Sequence, residues 1–362
     1  MSRLSPPWAV GLLLLVVSPA SSQQVVEIDF TGGRTIIDDP WNRDMRVDDL
    51  AFDWNRGLFF VTDTEEPNGI MVFSLETGEW LRTVSTPKGE GPYELPYGVH
   101  GTGLARNGGL YVNGFLSVVE FDLDGEPVNS WRPLAPPTTD VCDLGGVPAI
   151  PTQGGVVRQR LGNADEHIGN VQIKGHLVSA AAHEARNAIT RRVRDARIAC
   201  WGHRAYVVMT YSEGLDSVFV HHLDGSTETI TLPSEGIEGM MDCRPWQGLP
   251  ENPLCPVALH NLQPSFDDRG NLVLLGFDMQ VHGVVINPET GCHALIRNTT
   301  KLHYIPVGVH ADSVAVFHAH VEEMEVDGRT VKAYRDTSGG LSMRPLRRVS
   351  GERCPGMLSS VR

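Results

Sequence analysis

The chain has 362 residues, 41% hydrophobic and 20% charged, and its 30 basic against 44 acidic residues give a formal charge of −14. That apolar share fills a core and excludes a disordered chain, while the acidic balance repels a phosphate backbone and excludes nucleic acid as an expected partner. No apolar run reaches the roughly twenty residues of a bilayer span, so no membrane anchor is expected.

The first predicted element is an export signal over 1–22. Arg3 precedes the apolar run Val10-Gly11-Leu12-Leu13-Leu14-Leu15-Val16-Val17, and Ala20 and Ser22 are the small residues that favour cleavage before Gln23. The expected address is secreted or periplasmic, and losing Arg3 takes the charge from −14 to −15. Val25-Val26-Glu27-Ile28-Asp29-Phe30 then alternates like a strand.

Residues 47–53, 58–63, 70–75 and 80–84 read as four short strands, parted by Asn55-Arg56-Gly57, by a Pro-Asn-Gly loop and by Glu76-Thr77-Gly78. Leu58-Phe59-Phe60-Val61 is the kind of run that is buried on both faces. The pattern returns at 109–122 before Asp124-Gly125, at 205–223 before Asp224-Gly225, at 270–287 before Glu289-Thr290-Gly291, and, compressed, at 313–317 before Asp327-Gly328. The third copy is the least regular; its inner strand is expected at Gly154-Gly155-Val156-Val157-Arg158, and Lys174-Gly175 follows as a turn. Between the third and fourth copies, 178–197 is rich in Ala and Arg at near-helical spacing and predicts an inserted helix, or an outer strand followed by a helical loop. Its arginines (Arg186, Arg191, Arg192, Arg194 and Arg197) form a basic patch, read as the solvated face of a connection.

From Gly78 to Gly328 the six turn signals span 250 residues in five intervals, a mean repeat of 50. A hairpin turn at that period predicts an all-β, six-bladed β-propeller of four-stranded antiparallel blades over 23–336, with a tail over 337–362. A closed ring must hide its sheet edges, so the strand at 25–30 is expected to pair into the final blade. Six cysteines remain after cleavage, an even count that permits up to three disulfides in an exported protein. Cys243 and Cys255 flank a Pro-rich stretch and are the favoured pair; Cys354 is the residue that would anchor the tail.

Gly89-Glu90-Gly91-Pro92-Tyr93-Glu94-Leu95, followed by Pro96-Tyr97-Gly98-Val99, resembles the G-x-G-P-x-E-F segment and Pro-x-Gly-aliphatic opening of exported bacterial six-bladed propellers related to NHL repeats. Leu95 stands where that group has Phe. The resemblance covers 46–125 and implies the fold, but no uniform activity and no catalytic residues. We read these glycines as a tight reversal between blades rather than a phosphate cradle, because no helix follows them.

Pro96-Tyr97-Gly98-Val99-His100 matches Pro306-Val307-Gly308-Val309-His310, and His260 precedes a similar opening. If these begin the first strands of blades, His100, His260 and His310 approach the central channel, where imidazoles hold a transition metal or act as a general base. Asp48, Asp49 and Asp63 resemble positions where propeller hydrolases and lyases gather carboxylates around calcium. His318-Ala319-His320 sets two imidazoles on one strand face. Each pattern has a plainer reading, as channel wall, turn cap or surface pair. The expected function is therefore a secreted, monomeric, non-catalytic propeller that presents a loop face, with His100, His260, His310 and Asp48 at the channel mouth, to a protein, peptide or carbohydrate. The alternative is a lactonase, esterase or lyase with Ca2+ or Zn2+ in the channel; the residues name neither ligand nor metal.

Overall fold

The structure is a computed structural model describing residues 23–37, 47–63, 69–114, 116–133, 140–152, 155–160, 164–173, 176–179, 193–211, 217–232, 263–275, 283–297, 304–326, 329–351, 354 and 357. The described residues are all-β and contain no helix. The leading strands are β1 (Gln23–Ile28) and β2 (Arg34–Ile37).

Four separate four-stranded antiparallel sheets follow, in the arrangement of propeller blades. The first is β3 (Val47–Asp53), β4 (Leu58–Asp63), β5 (Gly69–Ser74) and β6 (Trp80–Ser85). The second is β7 (Gly101–Leu104), β8 (Leu110–Asn113), β9 (Val118–Phe121) and β10 (Pro127–Trp131). The third is β11 (Cys142–Asp143), β12 (Pro148–Thr152), β13 (Gly155–Gln159) and β14 (Asp165–Ile168), after which β15 (Asn170–Ile173) and β16 (His176–Ser179) form a separate hairpin. The fourth is β17 (Val193–Trp201), β18 (Arg204–Tyr211), β19 (Ser217–His222) and β20 (Thr227–Thr231). The remainder is one nine-stranded sheet. Its first half is β21 (Gln263–Phe266), β22 (Leu272–Leu275), β23 (Gly283–Ile286) and β24 (His293–Arg297), and its second half is β25 (Tyr304–His310), β26 (Ser313–Val326) and β27 (Arg329–Gly351). Strand β1 joins the halves, parallel to β24 and antiparallel to the end of β27, and β2 pairs with β27 at Leu341–Met343.

Side chains alternate across a strand, so a strand between two neighbouring sheets must be apolar at every position. Strand β4 shows this. Phe60 packs toward the second sheet with Leu110 and Val112, while Phe59 and Val61 pack with Ile36 of β2 and with Ala315 and Leu341 of the last half-sheet. Tyr111 and Trp131 meet Ile150 and Val157 between the second and third sheets, and Ala149 and Val156 meet Ile198 and Val207 between the third and fourth. Tyr206 and Val208 then meet Leu272 and Leu274, and Val273 and Val285 meet Val26, Val314 and Val316. Each fully buried side chain of this kind contributes about 1.5–3 kcal/mol, so these seams hold the sheets together.

Several expectations shift. Gly155–Gln159 is the third strand of its sheet, and the innermost is the two-residue β11. In the Ala/Arg-rich segment, 193–197 belong to β17 and 178–179 to β16, because β18 supplies a full backbone ladder to Val193–Trp201; 180–192 lie outside the described residues, as do 1–22. Arg197 is no member of a solvated patch, since it pairs with Asp140 at 2.7 Å. Strand β27 runs across the boundary expected at 336, and Cys354 is bonded to Cys292. The second described disulfide joins Cys142 to Cys200, while the favoured pair Cys243 and Cys255 lies outside the described residues.

Candidate functional site

The first strands of neighbouring sheets lie side by side, β3 by β7, β7 by β11, β11 by β17 and β17 by β21. The sheets therefore have two distinct ends. At one, short turns join first to second and third to fourth strands. At the other, longer connections lead from sheet to sheet.

The turn end is a belt of contacts. The Arg56 guanidinium donates to the Gly108 carbonyl, and the Arg106 amide donates to Asp143 Oδ2 at 2.9 Å. The ring of Trp201 packs 5.3 Å from that of Phe266 and occupies the space where a Cβ of Gly270 would sit. The Ala311 amide donates to Asp268 Oδ1 at 2.8 Å, and Arg269 lies 3.7 Å from Asp312. His310 stacks on Trp54, with centroids 4.9 Å apart and planes 12° apart, while its Nδ1 is 3.6 Å from Asp268. The carboxylates here serve the backbone: Asp143 accepts from the Gly146 amide at 2.8 Å and from the Tyr111 hydroxyl at 3.2 Å. Burial, then Asp143, pushes the Tyr111 hydroxyl well above its ordinary pKa. Burial likewise raises Asp267, against bonds from Asn271 and Arg269 that lower it.

The loop end is built around the connection from β6 to β7. Leu95 is fully buried and plugs the space beside Gly114, where an added Cβ would meet its side chain at 2.5 Å. The Leu95 amide donates to the Pro87 carbonyl at 2.9 Å. Glu94 folds back so that its carboxylate accepts the Gly91 amide at 2.7 Å, and a Cβ on Gly89 or Gly91 would collide with it. This explains the Gly-x-Gly-Pro-x-Glu pattern: the small cradle is filled by the chain's own carboxylate. Arg132, directly after β10, donates to the Glu90 carbonyl at 2.6 Å and braces the loop. On this braced loop Tyr93 is 41% and Tyr97 62% exposed, and Leu116, in the β8–β9 connection, is 46% exposed.

The site residues expected from sequence divide between these ends. His100 is exposed at the loop end, directly before β7, with its amide donating to the Asn113 carbonyl at 2.7 Å. Asp48 falls at a register shift near the start of β3, and Asp63 pairs with Val47, so their backbones share that end with His100. His310 ends β25 at the turn end, so the shared five-residue pattern marks opposite ends of the two first strands. His260 and the side chains of Asp48, Asp49, Asp63, His318 and His320 lie outside what is described. Among the described residues no three His, Cys, Asp or Glu side chains converge to hold an ion. Tyr93 and Tyr97 lie inside the Gly/Pro-rich motif, and their signal is a pair from only seven tyrosines placed four residues apart in one loop.

His221 stands apart as a fully buried histidine in the seam between the third and fourth sheets. Its Nδ1 lies 3.1 Å from Thr227 Oγ1, and the backbone of Gly169 presses so close to the ring that no Cβ fits. Burial, then the neighbouring His222, lowers its pKa to about 4, which keeps it neutral.

No known protein family matches the chain, and no curated protein matches its sequence. Similar solved structures include U3-55K, 9% identical, with a TM-score of 0.52 over 88% of this chain and 99% of that one. Others are the WD40 repeats of RRP9 (11% identity, TM-score 0.49, 90% of this chain and 100% of that one) and a member of the duf4221 family from Bacteroides vulgatus (10% identity, TM-score 0.46, 90% and 97%). At such identities the likeness is one of fold alone.

Proposed function

We propose that this chain is an exported six-bladed β-propeller, closed by its own N-terminal strands, that acts as a monomeric, non-catalytic binding module through its loop end. The nine-stranded sheet is read as two blades bridged by β1, with β2 as the fourth strand of the last blade. Supporting six units, the apolar seams run from sheet to sheet and return from the last half-sheet to the first sheet, and the turn-end contacts return the same way through His310 and Trp54. The two described disulfides, one between the third and fourth sheets and one between the halves of the nine-stranded sheet, fit an oxidising compartment and hence a cleaved signal over 1–22. The relation to NHL-type propellers rests on the loop motif at 89–99.

The observation that carries the binding reading is the pair of exposed tyrosines on a loop fixed by Leu95, Glu94 and Arg132. Rigid, amphipathic Tyr side chains give contact area at low entropic cost, and a preformed loop loses little freedom on binding. A protein, peptide or carbohydrate is the ligand class such a surface takes. The test is to screen the purified protein against peptide and glycan arrays, then repeat the hits with Tyr93→Ala/Tyr97→Ala. Loss of the hits in that variant supports the reading; turnover of lactone or ester substrates, lost with a stoichiometric bound metal, overturns it.

A further inference from the structure

We propose that the Tyr93–Tyr97 surface receives an extended, arginine- or lysine-bearing segment of a partner protein; this rests on the binding-module reading above and names its partner. Three observations lead there. First, Tyr93 and Tyr97 are exposed on a loop braced by Leu95, Glu94 and Arg132, with Leu116 exposed at the same end, so the rings are presented rather than left over. Aromatic faces carry negative potential and attract guanidinium and ammonium groups, Arg above all.

Second, the positive groups around the patch offer little repulsion. The guanidinium of Arg132 is engaged on the Glu90 and Gly91 carbonyls. Among the described residues of this loop Lys88 is exposed, and it is set against the exposed Glu90 and the backbone positions of Asp48, Asp49 and Asp63 at the same end. Third, the chain's charge of −14 produces a field that draws basic segments and turns acidic ones away. Stacking alone would serve a neutral sugar equally well; the field decides for a cationic peptide.

The test uses N-acetylated decapeptides of repeating Gly-Arg, Gly-Glu and Gly-Ser, together with a soluble β-glucan, titrated calorimetrically into the full-length protein. The Gly-Arg peptide is expected to bind in preference to the other three. Tyr93→Ala/Tyr97→Ala should weaken it about tenfold or more, whereas Tyr93→Phe/Tyr97→Phe should stay within about threefold, because the ring face is kept. Raising salt from about 50 mM to about 300 mM should weaken it further. Gly-Arg binding that ignores the alanine pair is diffuse attraction to an acidic surface and overturns the proposal. Tighter tyrosine-dependent binding of the neutral peptide, the acidic peptide or the glucan also overturns it, but leaves the binding-module reading standing. If no probe responds to the tyrosines, both fall.

Discussion

At the turn end the described reversals are short, lean on carboxylate or glycine geometry and touch the next reversal, and both described disulfides sit close by. At the loop end the connections are longer, and the best-defined of them shows tyrosines to solvent. The difference separates what holds the sheets in register from what varies on top of them. A residue at the turn end is judged by what unfolds when it is lost, and one at the loop end by what is no longer bound.

The comparison breaks first where the staples are. Cys292 and Cys354 close a separation of 62 residues between the two halves of the nine-stranded sheet. Replacing both by serine should cost about 2–5 kcal/mol, read as a fall in Tm that reductant does not deepen at this bond. A shift no larger than that of a surface substitution would mean the turn end is not the structural end.

The next effect is acid sensitivity. The folded state holds His221 near 4, below the ordinary value of 6.5, so the unfolded chain binds a proton that the fold excludes. Stability should therefore fall as pH drops through 6.5 and continue to fall to about 4, by on the order of 3 kcal/mol at most. His221→Gln should flatten that part of the profile in urea titrations. An unchanged slope would remove His221 as its source.

Leu95 lies between the two regimes, a core residue that holds a display loop. Leu95→Ala should cost about 2–3 kcal/mol and also make the segment from Pro87 to Val99 cleavable by protease. Destabilisation with a still-protected loop would show that Glu94 and Arg132 suffice as braces. The smallest effect on stability is expected at Tyr97, where Tyr97→Ala should move unfolding by less than about 0.5 kcal/mol while binding changes; a large loss of Tm would put Tyr97 in the scaffold.

The apolar runs in β4, β18 and β22 were legible because each strand is buried on both sides, which leaves an unbroken signal. Four turn signals also landed on equivalent third-to-fourth strand reversals, with Gly125 and Gly225 at φ of +90° and +88°. The other two did not. Lys174-Gly175 falls between β15 and β16, outside the four-stranded pattern, and Asp327-Gly328 lies between β26 and β27, whose sheet takes its next strand from the N-terminus. The mean spacing of 50 was thus partly an average over unlike turns. First-to-second strand turns recur in every sheet but change chemistry, down to Ala311 at φ +51°, so no residue type announces them. For the site, His100 and His310 share a local pattern but not a register, since Pro306 lies within its strand and Pro96 precedes one. The disulfides span 58 and 62 residues; the packing of the third sheet on the fourth brings Cys142 to Cys200, and the bridging of β24 and β27 by β1 brings Cys292 to Cys354.

The pairing of β1 with β27 has a consequence for how the chain is made. Gln24, near the start of the described residues, accepts a hydrogen bond from the Cys354 amide across 330 positions. The edge of β1 that faces β27 stays open until residues 346–351 are made, even where β24 already covers its other edge, with loop closure of the slowest kind. A chain lacking β27 would leave an adhesive edge on β1 looking for any strand at all, so that edge needs shelter until β1 and β27 meet.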